Sequence, residues 1–344
     1  MASTTNVLIF GATGRQGGAL VRLLQDNADY NVFAATRNPE SASAKKLAAA
    51  GNVTCVKANM AEPDSLAPAL RESGAQLVFF MTDFWTQKGN SKEMGRKETQ
   101  DGKNVVDAIK LAVEAGQAVE YVVYASVGDA AEAAENVVHF HSKAHVERYM
   151  EEQLGSLAGQ GGAFNGYAVV RPAFFIENCD EAATGNPLTK GQLVGFLKPG
   201  QKLKHSCSED TARAAKIFFE NQTKYHRTIM EAPIGEWTGL EITQALSEAS
   251  GVAHKFKKLP VPRFVMRMLM PDIVFMLVWF EKQGYSGDVA AFRQFLKDEG
   301  GYEAYDAQRW FAECKRQWRL PKVETFPSGR AREEEAAPSV HVEE

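Results

Sequence analysis

The sequence predicts an α/β fold: a Rossmann-like, doubly wound parallel sheet in the first half of the chain, followed by a smaller, mostly helical C-terminal region. Three observations predict it. Short apolar runs rich in β-branched and aromatic residues alternate with longer amphipathic stretches, a glycine-rich turn joins the first of each, and the alternation stops after Pro172.

Taken in order, Asn6–Phe10, Asn31–Thr36, Val53–Lys57, Gln76–Met81 and Val119–Ala125 read as buried strands. Between them, Gly17–Asn27, Ser41–Ala50, Ser65–Ser73 and Gly95–Ala115 carry helical spacing, so the connections are right-handed βαβ crossovers. A helix over Ser142–Gln153 and a strand over Tyr167–Arg171 bring the sheet to about six strands. Beyond Pro172, Gly and Pro become frequent. Helices are expected there over Asp210–Gln222, Leu240–Ser250, Arg263–Glu281 and Ala304–Trp318, and short strands over Thr228–Met230 and Lys255–Leu259. The expected division is 1–172 for the nucleotide-binding domain and 173–327 for a substrate or partner region, some of whose strands can rejoin the sheet. The polar stretch 328–344 is expected to be disordered.

Composition narrows the function classes. The chain has 344 residues, is 44% hydrophobic, and carries a net charge of −4 with no block of Lys or Arg. Nucleic-acid and membrane partners are therefore not expected. The four cysteines, Cys55, Cys179, Cys207 and Cys314, form no CxxC pair and suit a reducing compartment. With no secretory pattern before the first strand, a cytoplasmic location is expected, with the nucleus also open. The stretch Phe264–Phe280 is interrupted by Arg267, Pro271 and Asp272, and reads as a packed helix rather than a span. No His, Cys or carboxylate set has metal-ligand spacing, and none is assigned to a metal.

The nucleotide signal lies in Phe10-Gly11-Ala-Thr-Gly14-Arg-Gln-Gly17-Gly18, between an apolar strand and an amphipathic helix. In that context Gly11 permits the tight turn, Gly14 lets the backbone approach a pyrophosphate, and Gly17 lets helix and strand pack closely. The phosphates then meet the helix N-terminus. Gly11, Thr13, Gly14, Arg15, Gln16 and Gly17 form the expected contact set. At the end of the second strand, Thr36-Arg37-Asn38-Pro39 offers no acid for a ribose 2′-hydroxyl but a guanidinium suited to a 2′-phosphate, so NADP(H) is favoured over NAD(H). Asn59 and Met60, after the third strand, are placed at the adenine.

Chemistry is less plain. Tyr124-Ala-Ser126 puts a serine at the end of the fifth strand. The next helix offers His139-Phe-His141-Ser-Lys143, with a histidine where a proton-relaying tyrosine would precede the lysine by four. The candidate catalytic residues are thus Ser126, His139 and Lys143. An ordinary histidine titrates near 6.5 and can act as an acid near neutrality, but the two histidines also read as polar residues at a helix start. Phe84, Trp85, Phe174 and Phe175 read equally as an apolar pocket or as core.

These pieces together resemble the NmrA-like family of atypical short-chain dehydrogenases/reductases: Val7-Leu-Ile-Phe-Gly-Ala-Thr-Gly-Arg-Gln-Gly-Gly18, Thr36-Arg-Asn-Pro39, Thr82-Asp-Phe-Trp85, His139-Phe-His-Ser-Lys143 and Arg171-Pro-Ala-Phe-Phe-Ile-Glu177-Asn178. The resemblance implies NADP(H) preference, contact of Lys143 with the nicotinamide ribose, and Thr82 with Trp85 beside the nicotinamide. It also implies one of two activities. One is a redox-sensing regulator that meets a protein partner with little or no turnover, a reading that the His-xxx-Lys form favours. The other is an NADPH-dependent reductase of a quinone or other small carbonyl metabolite. A homodimer is compatible with either.

Overall fold

The computed structural model describes residues 4–49, 51–131, 137–160, 162–179 and 191–313. The expected tail 328–344, the end of the predicted helix Ala304–Trp318, and Cys314 lie outside the described residues. The chain divides into two units. The first comprises residues through Ala173, Ser208–Pro233 and Ser286–Ala304; the second comprises Phe174–Cys207, Ile234–Tyr285 and the stretch from Tyr305.

In the first unit the strands are β1 (Thr5–Ile9), β2 (Tyr30–Thr36), β3 (Val53–Lys57), β4 (Leu77–Met81), β5 (Tyr121–Ala125) and β6 (Gly166–Arg171). Two short strands come next, β7 (Phe174–Phe175) and β8 (Gln192–Gly195), then β9 (Lys202–Ser206); β10 (Thr228–Glu231) returns to the main sheet. Its order is β10-β6-β5-β4-β1-β2-β3, and every neighbouring pair is parallel. The order reverses direction between β1 and β4, which opens a crevice at the strands' carboxyl ends there. The chain thus has the expected doubly wound sheet, with β10 as a seventh strand.

The helices of this unit are α1 (Arg15–Leu24), α2 (Ala42–Ala48), α3 (Leu66–Ser73), α4 (Ser91–Glu114), α5 (Val138–Leu154), α6 (Ser208–Glu220) and one at Val289–Gly300. One face of the sheet buries Leu8, Phe10, Val78, Phe80, Val122 and Tyr124 in a cluster with Leu70, Val106, Ile109, Val146 and Met150 from α3, α4 and α5. Removing such apolar surface from water is the main term favouring the fold. On α4 the buried positions Gly95, Glu98, Gly102, Val105 and Ile109 recur at three- and four-residue spacing. Two of them are glycines for a reason. A Cβ on Gly95 would stand 2.5 Å from Val138 Cγ1, and one on Gly102 would stand 2.4 Å from Val146 Cγ2. Helix α4 therefore lies hard against α5, which decides how far its one buried carboxylate has to reach.

The second unit holds α7 (Gly239–Ser250), α8 (Arg263–Leu269) and α9 (Pro271–Lys282), and, numbering the Val289–Gly300 helix α10, α11 (Ala307–Glu313). With β11 (Gly235–Thr238) and β12 (Lys255–Lys258), it also has a three-stranded sheet β11-β9-β7 and a two-stranded sheet β12-β8. The single helix expected over Arg263–Glu281 is two. Met270 has φ −144° and ψ 66°, and Pro271 opens α9. A proline has no N–H to donate and drives the preceding residue out of the helical region, so the helix ends there. Helix α10, capped by Asp288, and strands β7, β8, β9 and β11 were not anticipated from the sequence. Among the described residues, no helix is long and apolar enough to cross a membrane, and no group of three His, Cys, Asp or Glu could hold a metal ion.

Candidate functional site

The turn between β1 and α1 is built by its glycines. Gly11 has φ +68°, which an L side chain rarely adopts. Its carbonyl accepts from Gly14 N at 2.8 Å. Gly14 is the N-cap of α1 and offers no side chain to the first turn, which also has no acid. The helix dipole and its leading amides are thus left facing an outside anion. Thr13, Gly14 and Arg15 are exposed beside that turn, and Gln16 Oε1 is buried there with no hydrogen-bond partner. Two of these features fit a dinucleotide pyrophosphate, a cradle without side chains and an uncapped N-terminus, whereas the Gln16 Oε1 acceptor calls for a donor and not for a phosphate oxygen.

Arg37 follows the end of β2 and is exposed. Lys45, on α2, pairs with Glu40 at 2.9 Å, and both side chains are well exposed. Asn59 is more committed than the sequence suggests. Its Oδ1 accepts from Ala61 N at 3.2 Å and its Nδ2 donates to Glu62 Oε1 at 2.8 Å, the pattern of a side chain that shapes its own turn. Met60 packs against the core, and its carbonyl accepts from Asn104 Nδ2 at 2.8 Å.

At the carboxyl end of β4 the chain gathers Thr82, Glu98 and Lys143. Lys143 Nζ donates to Thr82 O at 2.6 Å, to Glu98 Oε1 at 2.7 Å and to Thr82 Oγ1 at 3.1 Å. Thr82 Oγ1 also donates to Glu98 Oε1 at 2.9 Å and lies 3.1 Å from the Tyr124 hydroxyl. Ser142 Oγ donates to Glu98 Oε2. Glu98 is wholly buried, and the Lys143 side chain is 13% exposed. An ammonium has three donors, and all three of Lys143's are aimed at protein acceptors. The Tyr124 phenol is pushed well above its usual pKa, first by burial and then by the Glu98 charge. It stacks on Phe80 and stays a neutral phenol.

His139 stands one helical turn before Lys143 on α5. It is buried among Phe84, Trp85 and Phe140, with ring centroids 4.8–5.5 Å away. Burial, and then the Lys143 charge, lower its pKa to about 3. This corrects the expectation of an acid near neutrality: the ring is a neutral imidazole, and its Nδ1 is buried without a partner. Ser126, just past β5, is likewise buried, and its side chain lies against the Tyr124 phenol. Trp85, 56% exposed, leaves one face of this cluster open. Phe174 and Phe175 belong to the second unit, where Phe174 meets His205 and Phe280 edge-on.

The structure therefore joins Lys143 to Thr82, with His139 one turn before Lys143 on α5 and Ser126 beside Tyr124 at the end of β5, while the phosphate-loop residues lie at β1–α1. The residue that sequence reasoning missed is Glu98. The one signal for it, a glutamate at a core-facing position of an amphipathic helix, is masked by the charged run Arg96-Lys-Glu98.

Comparisons with known proteins agree with this architecture. The profile of the NmrA-like family matches residues 3–306. Among curated relatives, the NmrA-like family domain-containing oxidoreductase FrzB of a Cladobotryum species is 31% identical over 174 residues, covering 50% of this chain and 47% of the relative. The oxidoreductase cpsB of Aspergillus campestris is 38% identical over 125 residues, 36% of this chain and 34% of the relative. The chain thus spans about half the length, or less, of the curated relatives it matches. Among solved structures, NmrA, a negative transcriptional regulator in complex with NADP, superposes with a TM-score of 0.64 at 17% identity, covering 90% of this chain and 95% of that one. An NADPH-dependent quinone oxidoreductase from Escherichia coli, complexed with NADPH, gives 0.62 at 20% identity over 90% and 99%. At these identities the likeness is one of fold.

Proposed function

The chain belongs to the NmrA-like family, and from that premise we propose that it is an NADP(H)-binding redox sensor with little or no dehydrogenase turnover. The pyrophosphate lies on the turn of Gly11, Gly14 and Gly17, contacted by Thr13, Arg15 and Gln16, and the 2′-phosphate meets Arg37. Asn59 and Met60 border the adenine, and Lys143 and Thr82 the nicotinamide ribose. When bound, the nucleotide supplies a hydride donor or acceptor. The residues of this chain bind it and hold its nicotinamide end.

One observation carries the sensor reading: among the described residues, no side chain at the nicotinamide end is poised to give up a proton. His139 is a neutral imidazole, Tyr124 is a buried phenol, and the Lys143 ammonium is committed to Glu98 and Thr82. A regulator needs two nucleotide states that differ in conformation or partner affinity, not fast chemistry. The test is limited proteolysis and hydrogen exchange with NADP+, with NADPH and without nucleotide. Different protection in the two nucleotide states is expected; identical patterns overturn the sensor reading.

A second reading is an NADPH-dependent reductase of a quinone or similar acceptor, favoured by the buried, unpartnered His139 Nδ1 and by the buried Ser126 hydroxyl beside Tyr124. Both could orient a substrate oxygen, with water delivering the proton. A regulatory protein partner, a homodimer and a cytoplasmic or nuclear location remain part of the proposal.

A further inference from the structure

Glu98 has no part in the nucleotide reading as it stands, and its burial calls for a role. A carboxylate removed from water is costly unless its charge is matched and its lone pairs are filled. Here both conditions are met by Lys143, Thr82 and Ser142. Glycines at Gly95 and Gly102, one turn to either side, bring α4 close enough to α5 for the contact. Everything about this stretch of helix is arranged so that one negative charge stands against the Lys143 ammonium.

The consequence is electrostatic. Lys143 alone would put a unit positive charge, partly shielded from water, at the end of β4. With Glu98 ionised beside it, the pair is neutral. An oxidised nicotinamide ring carries a positive charge that the reduced ring does not. A cationic site would disfavour the oxidised form, and a neutral site would not. We propose that Glu98 is a specificity-determining residue that sets the relative affinity of this site for oxidised over reduced nucleotide, by cancelling the charge of Lys143. This rests on the reading that the nicotinamide ribose lies at Lys143.

The other groups facing the pair do not supply this balance. Thr82, Ser142 and Tyr124 are neutral hydroxyls, and the neighbouring His139 ring is uncharged. Two further carboxylates are near: Asp101, which the Glu98 charge repels, accepts from Gln87 Nε2 at 2.8 Å, and Glu147, near Tyr124, accepts twice from Arg171, so neither is bonded to Lys143. Glu98 is thus the charge that the comparison turns on. A purely structural post would act on both nucleotides alike, whereas a charge acts on their ratio.

The experiment is calorimetric titration of the full chain with NADP+ and with NADPH, in the wild type and in Glu98→Gln, Glu98→Asp and Lys143→Gln. Glu98→Gln keeps the shape and removes the charge, and should shift the ratio of dissociation constants against NADP+ by about fivefold or more, the effect of a unit charge in a partly screened site. Glu98→Asp keeps the charge and should keep the wild-type ratio, even where both affinities fall. Lys143→Gln should move the ratio the opposite way, toward NADP+, and serves alone should Glu98→Gln fail to fold. Equal losses for both nucleotides in Glu98→Gln, or an unmoved ratio in Lys143→Gln, overturn the proposal. Failure of the wild type to bind either nucleotide overturns the cofactor reading instead.

Discussion

A Cβ placed on Gly17 would stand 2.5 Å from the carbonyl oxygen of Gly11, a distance no side chain can occupy. Gly14 is looser, its added Cβ meeting the same oxygen at 3.1 Å. The two glycines therefore do different work. Gly17 lets α1 pack on the turn, and Gly14 keeps the outer surface of the turn bare. Gly17→Ala should destabilise the fold by about 1–3 kcal/mol, as overpacking does. Gly14→Val should remain folded, with a smaller loss of melting temperature than Gly17→Ala, and abolish NADPH binding. Thermal melts paired with nucleotide titration check both, and normal binding by Gly14→Val would remove the phosphate from this turn.

Arg37 stands exposed at the end of β2, and no acid follows that strand until Glu40, which is taken up by Lys45. NADPH should bind at least about tenfold more tightly than NADH, and Arg37→Ala should erase most of the difference, since a hydrogen bond to a charged group contributes roughly 1.5–3 kcal/mol. Equal affinities in the wild type would refute the assignment. The preference should also weaken with added salt, because the pair is exposed.

What the sequence disclosed and what it withheld have separate physical causes. The turn of Gly11, Gly14 and Gly17 was legible because its constraint is local: backbone geometry at one place admits almost no other residue. The doubly wound parallel sheet followed from the alternation of apolar and amphipathic runs, whereas its strand order, with β10 at one edge, is a tertiary fact. Lys143 was legible from its spacing to His139. Its partner was not, because Glu98 is 45 residues away and one charged residue within Arg96-Lys-Glu98 reads as a solvated face. The acid at neutrality assigned to His139 came from an exposed imidazole's pKa; its burial among Phe84, Trp85 and Phe140 is a tertiary fact. Strands as short as Phe174–Phe175 have no periodicity to read.

Glu231 gives a stability prediction of opposite sign to the usual acid. It accepts from Asp129 N at 3.2 Å and from Arg171 Nη1 at 3.2 Å, while the Asp129 carboxylate accepts from Ser286 N at 2.7 Å. Burial, and then the Asp129 charge, raise the Glu231 pKa to about 7, outweighing Arg171. A raised acid favours the fold when protonated. Its contribution is complete below the ordinary value of about 4.5 and is lost as pH rises through 7. Glu231→Gln should therefore melt a few degrees higher than wild type at pH 8, with the gap closing toward pH 5. A lower melting temperature at pH 8 would show that the ion pair with Arg171 dominates.

His139 carries the last prediction, because its burial decides both stability and chemistry. With a pKa of about 3 in the fold and about 6.5 when unfolded, the unfolded chain binds the extra proton between those values. Stability contributed by the neutral ring is full above pH 6.5 and is lost as pH falls toward 3, at about 1.4 kcal/mol per pH unit. His139→Gln should flatten the acid side of the melting curve relative to wild type. At pH 7 only about one ring in ten thousand is protonated, given a pKa of about 3. That fraction is too small to serve as a ready acid, and the phenol and the ammonium nearby are no better placed. NADPH oxidation against quinones, aldehydes and ketones should accordingly be slow, with no limb near pH 6.5. Saturable turnover with such a limb, abolished in His139→Gln but retained in Ser126→Ala, would make His139 the proton donor and the protein a reductase.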